Sequence, residues 1–253
     1  MVSAGVAALA WYAGTLTRSG AIVAAIVGLL VLTGTGWEGG AVLAAFFVSS
    51  NLVSRIGPPV PASGDAKGDR RDAWQVLANG GIAAAAAILP RVDPQLRLWL
   101  VTAALAAAAA DTWATSVGLR SRRPPRLLWT RRQVPPGTSG GVTRAGFAAG
   151  VAGATIVAAV GATGTGLALL WPAGTLVGFL GMVVDSALGG ALQGRFYCEQ
   201  CKEPSEWPVH RCGMSTERTA GWRWLNNDMV NLLSTLAAAL AAWIVWRTLE
   251  PVS

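Results

Sequence analysis

Charged residues are scarce in this chain. Only 13% of the 253 residues are Asp, Glu, Lys or Arg, whereas an average soluble domain has about 25%, and 53% are hydrophobic. Long stretches carry no charge at all, among them 73–90, 98–110, 145–184 and 229–246, and residues 1–54 contain only Arg18 and Glu38. The shortage of charge argues against an ordinary soluble enzyme, and the high hydrophobic content excludes a disordered chain.

The apolar stretches have the length of membrane spans. A bilayer core requires about 20 apolar residues per helix, and a helix satisfies its own backbone groups there. We therefore predict an all-α, polytopic membrane helix bundle that forms a single domain over residues 1–253. Its eight predicted transmembrane helices are 2–16, 20–36, 39–54, 73–89, 96–117, 145–162, 167–189 and 227–249. The alternative, a soluble bundle of Ala-rich helices, would need a charged face on each helix.

The first apolar segment lacks the marks of a signal sequence. It has no basic n-region and no clear cleavage site. We therefore predict that it is a helix of the bundle.

The chain nevertheless carries a net charge of +7. A basic excess indicates either nucleic-acid binding or cationic loops between membrane spans. With alternating spans, 17 of the 20 Lys and Arg residues fall on one side, at Arg18 and in the loops 55–72, 118–144 and 190–226. The positive-inside rule makes these three long loops cytoplasmic and puts both termini on the opposite side. The basic excess is then explained without a nucleic-acid partner.

Acidic and amide side chains lie in or beside the apolar spans, where burial is costly and a functional role is the default hypothesis. All are predicted at the cytoplasmic ends of helices: Asp111, Asp185, Asp228, Gln75, Asn79, Asn227 and Asn231. Three carboxylates at one depth could hold divalent cations through oxygen ligands. The alternative is that these side chains cap helix ends or form hydrogen bonds between helices.

A glycine-rich segment, VPPGTSGGVT, covers residues 134–143. Gly137, Gly140 and Gly141 permit backbone conformations in which successive N–H groups point at one anion. The neighbouring donors are Thr138, Ser139, Arg131 and Arg132. The segment is not a Walker A sequence, because no Gly-Lys-Ser/Thr follows. A flexible linker is the alternative explanation.

All three cysteines and the single histidine occur within fifteen residues, as Cys198-x2-Cys201 followed by His210-x-Cys212. The predicted cytoplasmic position of loop 190–226 argues against disulfides. Three thiolates and one imidazole would suit a closed, tetrahedral, structural zinc site. A redox dithiol, or cysteines without a role, are the alternatives.

Six sequence blocks together resemble a polytopic membrane family. They are FFVSSNLVSRIG (46–57), WQVLANGG (74–81), DTWATSVG (111–118), VPPGTSGGV (134–142), GFLGMVVDSALGGALQ (178–193) and GWRWLNNDMVN (221–231). The family includes the phytyl-phosphate kinases of plants and cyanobacteria. It is similar to dolichol and phytol kinases and to phosphatidate cytidylyltransferases, which share an Asp-x-x-Ala-x-x-x-Gly pattern linked to CTP use. Asp111, Ala114 and Gly118 match that pattern.

This resemblance implies an enzyme that transfers phosphate from a nucleoside triphosphate, with CTP as the expected donor, to an isoprenyl monophosphate. Phytyl and geranylgeranyl phosphate are the expected acceptors, and Mg²⁺ the expected cofactor. In this interpretation Asp111, Asp185 and Asp228 hold magnesium and its phosphates, with Asn79, Asn227 and Asn231 in support. Residues 137–141 cradle the donor phosphates. Basic residues of the 55–72 loop clamp phosphate: Lys67, Arg70 and Arg71.

Three other functions fit parts of the pattern. A cytidylyltransferase would release pyrophosphate instead of a nucleoside diphosphate. A transporter or flippase would have acids near the bilayer midplane and an inverted repeat, neither of which the sequence indicates. A zinc-stabilised membrane scaffold would leave the polar helix ends unexplained.

Overall fold

A computed structural model describes residues 1–56 and 70–249, and this part of the chain is mostly helical. Its helices are α1 (Val2–Tyr12), α2 (Arg18–Ser54), α3 (Ala73–Ala87), α4 (Pro94–Gly118), α5 (Arg144–Thr165), α6 (Leu170–Ala191) and α7 (Asn227–Leu249). Side chains at the helix starts bond the first free N–H groups: Thr17 for α2, Asp72 for α3, Asp93 for α4 and Thr143 for α5. The apolar runs therefore fold as helices, in seven elements where eight were predicted, because the segments 20–36 and 39–54 both lie in α2.

The loops contain short strands, which the all-α expectation did not include. β1 (Arg126–Leu127) pairs with β2 (Gly141–Val142). β3 (Arg195–Cys198) lies between β4 (Glu203–Ser205) and β5 (Glu217–Ala220) in an antiparallel sheet. These strands give the loops around 118–144 and 190–226 a defined shape.

The long helix α2 reverses direction at Gly36. This residue has φ 67° and ψ −158°, outside the helical region. A Cβ atom on Gly28 would lie 3.9 Å from the side chain of Leu43, yet fifteen residues of straight helix would separate them by about 22 Å. The two halves of α2 therefore pack against each other, and Gly36 falls at the predicted boundary between the segments 20–36 and 39–54.

Five helices of the described part are long and apolar enough to cross a membrane: α2, α4, α5, α6 and α7. The expected eight spanning helices are not reproduced in that form. α1 and α3, with 11 and 15 residues, extend only about 16 and 22 Å, less than the roughly 30 Å of a bilayer core. The structure is thus a helical membrane bundle in which two of the predicted spans are short.

Helix α4 forms the centre of the bundle. Residues 103–110 are all buried, and α4 packs against α2, α3, α5, α6 and α7. Glycines allow the helices to approach α4 closely. A Cβ atom added to Gly161 of α5 would lie 2.3 Å from Thr102, and one added to Gly178 of α6 would lie 2.7 Å from Ala106. Such contacts drive helix association in lipid, where the hydrophobic effect between helices is absent. They fix how α4, α5 and α6 face one another.

Candidate active site

The glycine-rich segment 134–143 is docked on the end of α6. Gly140 has a φ of +76°, and a Cβ there would lie 2.3 Å from the backbone of Gly190. The hydroxyl of Ser139 donates a hydrogen bond of 2.6 Å to Oε1 of Gln193. The segment is therefore not a flexible linker. It is docked on the end of a helix, and the contact at Gly140 leaves no room for a side chain.

A cavity of about 140 Å³ lies between this loop and the helices α4, α5 and α6. Asp111, Ala114 and Gly118 line it from α4, at the i, i+3 and i+7 spacing of one helix face. All five glycine-loop residues that were predicted to bind phosphate also line it: Gly137, Thr138, Ser139, Gly140 and Gly141. Residues 111–118 and 137–141, which are separate in sequence, therefore share one cavity.

Asp185 brings a second carboxylate to this cavity from α6. It is only 9% exposed, and its Oδ2 atom has no hydrogen-bond partner within residues 1–56 and 70–249. Asp111 is close enough to interact with it electrostatically, and Ser234 of α7 contacts the same carboxylate. A buried carboxyl oxygen without a hydrogen-bond partner is costly unless a proton or a bound cation satisfies it. Together, Asp111 and Asp185 form a donor set that suits Mg²⁺.

The glycine loop contains two tight turns beside the cavity. Thr138 N donates to Pro135 O and Gly141 N donates to Thr138 O, which closes two turns. In the described part of the chain, the N–H groups of Ser139 and Gly140 have no hydrogen-bond partner. Unpaired backbone donors beside a cavity are the chemical feature of an anion-binding nest.

The start of α7 contributes one predicted residue to the cavity and leaves another outside it. Asn227 is exposed and lines the cavity, whereas Asp228 is buried and does not line it. Asn226 caps the helix by accepting a hydrogen bond of 3.0 Å from Met229 N. Asn231, one turn after Asn227, is 9% exposed and its Oδ1 has no partner among the described residues. α7 therefore contributes Asn227 to the cavity wall, which neither Asp228 nor Asn231 lines.

Three other predicted residues line a second, apolar cavity of about 410 Å³ between α1, α2 and α3. They are Arg71, Gln75 and Asn79, at the beginning of α3. The Arg71 guanidinium lies 5.8 Å from the ring centre of Phe46. Gln75 forms a capping box with Asp72, which confirms the helix-capping alternative for this residue. The remaining walls are largely apolar side chains of α1 and α2.

Two other basic candidates, Arg70 and Arg132, do not line the 140 Å³ cavity. Arg70 donates hydrogen bonds to the carbonyl oxygens of Leu16, at 3.0 Å, and Trp11, at 3.3 Å. Arg132 is exposed. Lys67 lies outside the described residues. The described structure therefore adds no phosphate contact for Arg70 or Arg132.

The sequence analysis missed Glu206, which also lines the cavity. It lies in the Cys/His loop, directly after β4, and nothing in its spacing relates it to α4 or α6. The available signal was an acidic residue between the cysteine pair and the histidine, in a loop predicted at the same membrane face. Glu206 is the third acidic residue at the cavity, where the sequence had suggested Asp228.

The Cys/His cluster is assembled as predicted. One potential ligand atom from each of Cys198, Cys201, His210 and Cys212 lies within 4.8 Å of all the others. Cys198 and His210 are buried, while Cys201 and Cys212 are exposed. The hydrogen bond with His210 lowers the pKa of the Cys212 thiol to about 7, so a thiolate forms there more readily than at an ordinary cysteine.

Comparison with known proteins places this architecture in a family. The model of the integral membrane proteins named DUF92 matches residues 1–239. The chain belongs to this family. It is 30% identical to Protein PGR of Arabidopsis thaliana over 83% of each chain. It is 29% identical to an uncharacterized membrane protein of Methanocaldococcus jannaschii, over 92% of this chain and 87% of that one.

A third relative is an uncharacterized membrane protein of Synechocystis, 30% identical over 87% of this chain and 78% of that one. No solved structure is significantly similar to the chain. Family membership agrees with the long apolar helices and establishes an integral membrane protein. The activity of the protein has to be inferred from the residues of the candidate site.

Proposed function

We propose that this protein is a nucleoside-triphosphate-dependent kinase that converts an isoprenyl monophosphate, such as phytyl or geranylgeranyl phosphate, to the diphosphate. CTP is the expected donor. The observation that carries the proposal is the meeting of Asp111, Asp185 and the glycine loop 137–141 at one cavity. Carboxylates for a metal ion and backbone donors for phosphate are the two parts that phosphoryl transfer requires.

The acceptor needs little activation. A monophosphate is already anionic near neutral pH, so no strong general base has to be found. Asp111 and Asp185 would hold Mg²⁺, which when bound neutralises charge on the donor phosphates. The N–H groups of Ser139 and Gly140 would hold phosphate oxygens, and Asn227 would assist from the start of α7.

The apolar cavity between α1, α2 and α3 is the proposed site of the isoprenyl chain. Its walls are mostly hydrocarbon, and Arg71, Gln75 and Asn79 form its polar part. Arg71 is the residue that would attract the lipid phosphate, because a guanidinium binds phosphate oxygens with paired hydrogen bonds.

The orientation of the bundle is part of the proposal. We infer eight membrane crossings, counting the two halves of α2 separately, with the loops 55–72, 118–144 and 190–226 in the cytoplasm and both termini outside. Contacts between helix ends support it: Ser54 and Ser116 are hydrogen-bonded at 3.3 Å. At the opposite, predicted outer side, a Cβ atom added to Gly164 of α5 would lie 3.0 Å from the Glu38 side chain of α2. The predicted cytoplasmic ends thus meet each other, as do the predicted outer ends.

Thiol labelling tests this orientation. A membrane-impermeant maleimide applied to intact cells should label an Arg91→Cys variant, while an Arg122→Cys variant should be labelled only after the cells are opened. The wild type gives the background from Cys201 and Cys212, which are exposed and predicted to be cytoplasmic. Labelling of Arg122→Cys in intact cells would contradict the orientation without affecting the kinase proposal.

The activity test uses the purified protein in detergent with phytyl or geranylgeranyl phosphate, Mg²⁺ and each nucleoside triphosphate in turn. We expect the lipid diphosphate and a nucleoside diphosphate, formed only when Mg²⁺ is present. A folded protein that makes no lipid diphosphate with any donor would overturn the proposal.

A cytidylyltransferase is the second candidate, because the Asp111, Ala114 and Gly118 pattern that it shares lies on the cavity wall. The same reaction mixture separates the two activities. Release of pyrophosphate together with a cytidine-linked lipid would identify the transferase, whereas CDP and a lipid diphosphate identify the kinase.

A further inference from the structure

The Cys/His cluster has the dimensions of a metal site. The Sγ atoms of Cys198 and Cys212 are 3.7 Å apart. Two thiolates bound tetrahedrally to one zinc ion at about 2.3 Å would be about 3.8 Å apart. Nδ1 of His210 lies 3.1 Å from Sγ of Cys212, which puts the imidazole on the same centre. Cys201 completes a set of four, since all four ligand atoms are mutually within 4.8 Å.

The surroundings of His210 are also those of a metal ligand. Its Nε2 atom lies 3.8 Å from Oε2 of Glu203, and Arg211 holds that carboxylate with a hydrogen bond of 3.0 Å. A histidine that binds metal through one ring nitrogen commonly faces a carboxylate with the other, which fixes the orientation of the ring. Glu203 thus faces this ring nitrogen at a distance longer than a hydrogen bond.

We propose that Cys198, Cys201, His210 and Cys212 bind one zinc ion, and that this ion fixes the segment carrying Glu206 at the wall of the 140 Å³ cavity. Three thiolates and one imidazole fill the tetrahedral shell, so no position remains for a reacting water molecule. The role of the metal is therefore structural.

The connection to the cavity runs through a short length of chain. Cys201 and His210 lie on either side of β4 and Glu206, and the Ser205 hydroxyl bonds the backbone of Trp207 immediately beside Glu206. The backbone of His210 is held in turn by Met214, and that of Thr216 by Pro208. Two metal ligands thus anchor both ends of the segment that presents Glu206.

Metal analysis of the intact, detergent-purified protein tests the site directly. After growth with zinc, we expect about one zinc ion per chain in the wild type and less than about one tenth of an ion in a Cys198→Ser, Cys201→Ser variant. Lys202→Gln is the matched control, because Lys202 is next to Cys201 and its ammonium group pairs with the exposed carboxylate of Glu199. Zinc at background level in the folded wild type would overturn the proposal.

A second measurement remains decisive if the cysteine variant fails to fold. The zinc of the wild type is exchanged for Co²⁺, whose visible spectrum reports a tetrahedral site with thiolate ligands. Glu203→Gln should keep the spectrum but weaken metal binding by about 10- to 100-fold, as expected for an outer partner of a ligating histidine. Wild-type protein that shows no thiolate-to-cobalt band would also overturn the site.

The structural role is tested separately from any kinase activity. Hydrogen–deuterium exchange should show faster exchange in residues 195–216 after the metal is removed with a chelator, while the buried part of α4 stays protected. Unchanged exchange in 195–216 would show that the metal does not fix the Glu206 segment. The link from this segment to catalysis rests on the proposed function, whereas metal content and exchange rates do not.

Discussion

The Ser139 hydroxyl of the glycine loop donates a 2.6 Å hydrogen bond to Oε1 of Gln193, just beyond the end of α6. Gln193 is 2% exposed and its neighbours pair with the chain before α7: Gly194 N bonds Leu225 O, and Trp222 N bonds Leu192 O. One side-chain contact therefore ties the glycine loop to the junction of α6 and α7, beside Asp185 and Asn227. This contact explains why the loop is held at the cavity.

Ser139→Ala should loosen the loop. The substitution removes a donor from a buried amide oxygen, which costs about 1–3 kcal/mol. We expect faster hydrogen–deuterium exchange in residues 134–143 and a lower apparent melting temperature in detergent. Thr138→Ala is the control, since its hydroxyl bonds only the nearby carbonyl of Pro135 and is exposed. Equal effects from both variants would contradict the proposed role of the Ser139–Gln193 bond.

Gly140→Ala should disrupt the docking of the loop on α6. The new Cβ would lie 2.3 Å from the backbone of Gly190, and the residue would keep a φ of +76°. Gly166→Ala is a matched control, because Gly166 has a φ of +70° but open space around it. The left-handed conformation costs about 1 kcal/mol in both variants. Only Gly140→Ala should show a further loss of thermal stability and of nucleotide binding.

Asp111→Asn and Asp185→Asn should each lower the rate of lipid diphosphate formation at least about 100-fold, as expected when an electrostatic group of a charged transition state is removed. The amide keeps the shape of the side chain and loses the charge that holds Mg²⁺. Glu38→Gln, an exposed acid of α2, serves as the control. A variant with full activity would remove that residue from the metal assignment and leave the reaction class intact.

Arg71→Gln should weaken binding of the acceptor lipid. Losing one charged hydrogen bond to phosphate costs about 1.5–3 kcal/mol, so KM for the isoprenyl phosphate should rise at least about tenfold. KM for the nucleotide should stay the same, because Arg71 lines the apolar cavity and does not line the one at the glycine loop. Arg18→Gln is the control, because Arg18 lines neither of these two cavities. If Arg71→Gln raised KM for the nucleotide alone, the assignment of the two cavities would be wrong.

Much of the helical fold was predictable because a helix in lipid has to satisfy its backbone locally. The segment 96–117 corresponds to α4, and 227–249 to α7. The sequence did not reveal that α1 ends at Tyr12, or that the 190–226 loop contains a sheet. Both depend on contacts with distant residues: the chain after α1 pairs with Arg71, and β3 pairs with a strand about twenty residues further on.

By itself, the sequence determined that the chain is an integral membrane helix bundle, that its polar groups gather at helix ends, and that its cysteines and histidine lie close together. These properties follow from local composition and spacing. Only the tertiary structure decided that Asp111 and Asp185 share a cavity with the glycine loop, that Asp228 stays outside it and that Glu206 joins it. The reason is that a helix face can be turned towards a cavity or away from it. That rotation is fixed by close contacts between glycines and neighbouring helices, such as Gly161 against Thr102 and Gly178 against Ala106, which no single segment encodes.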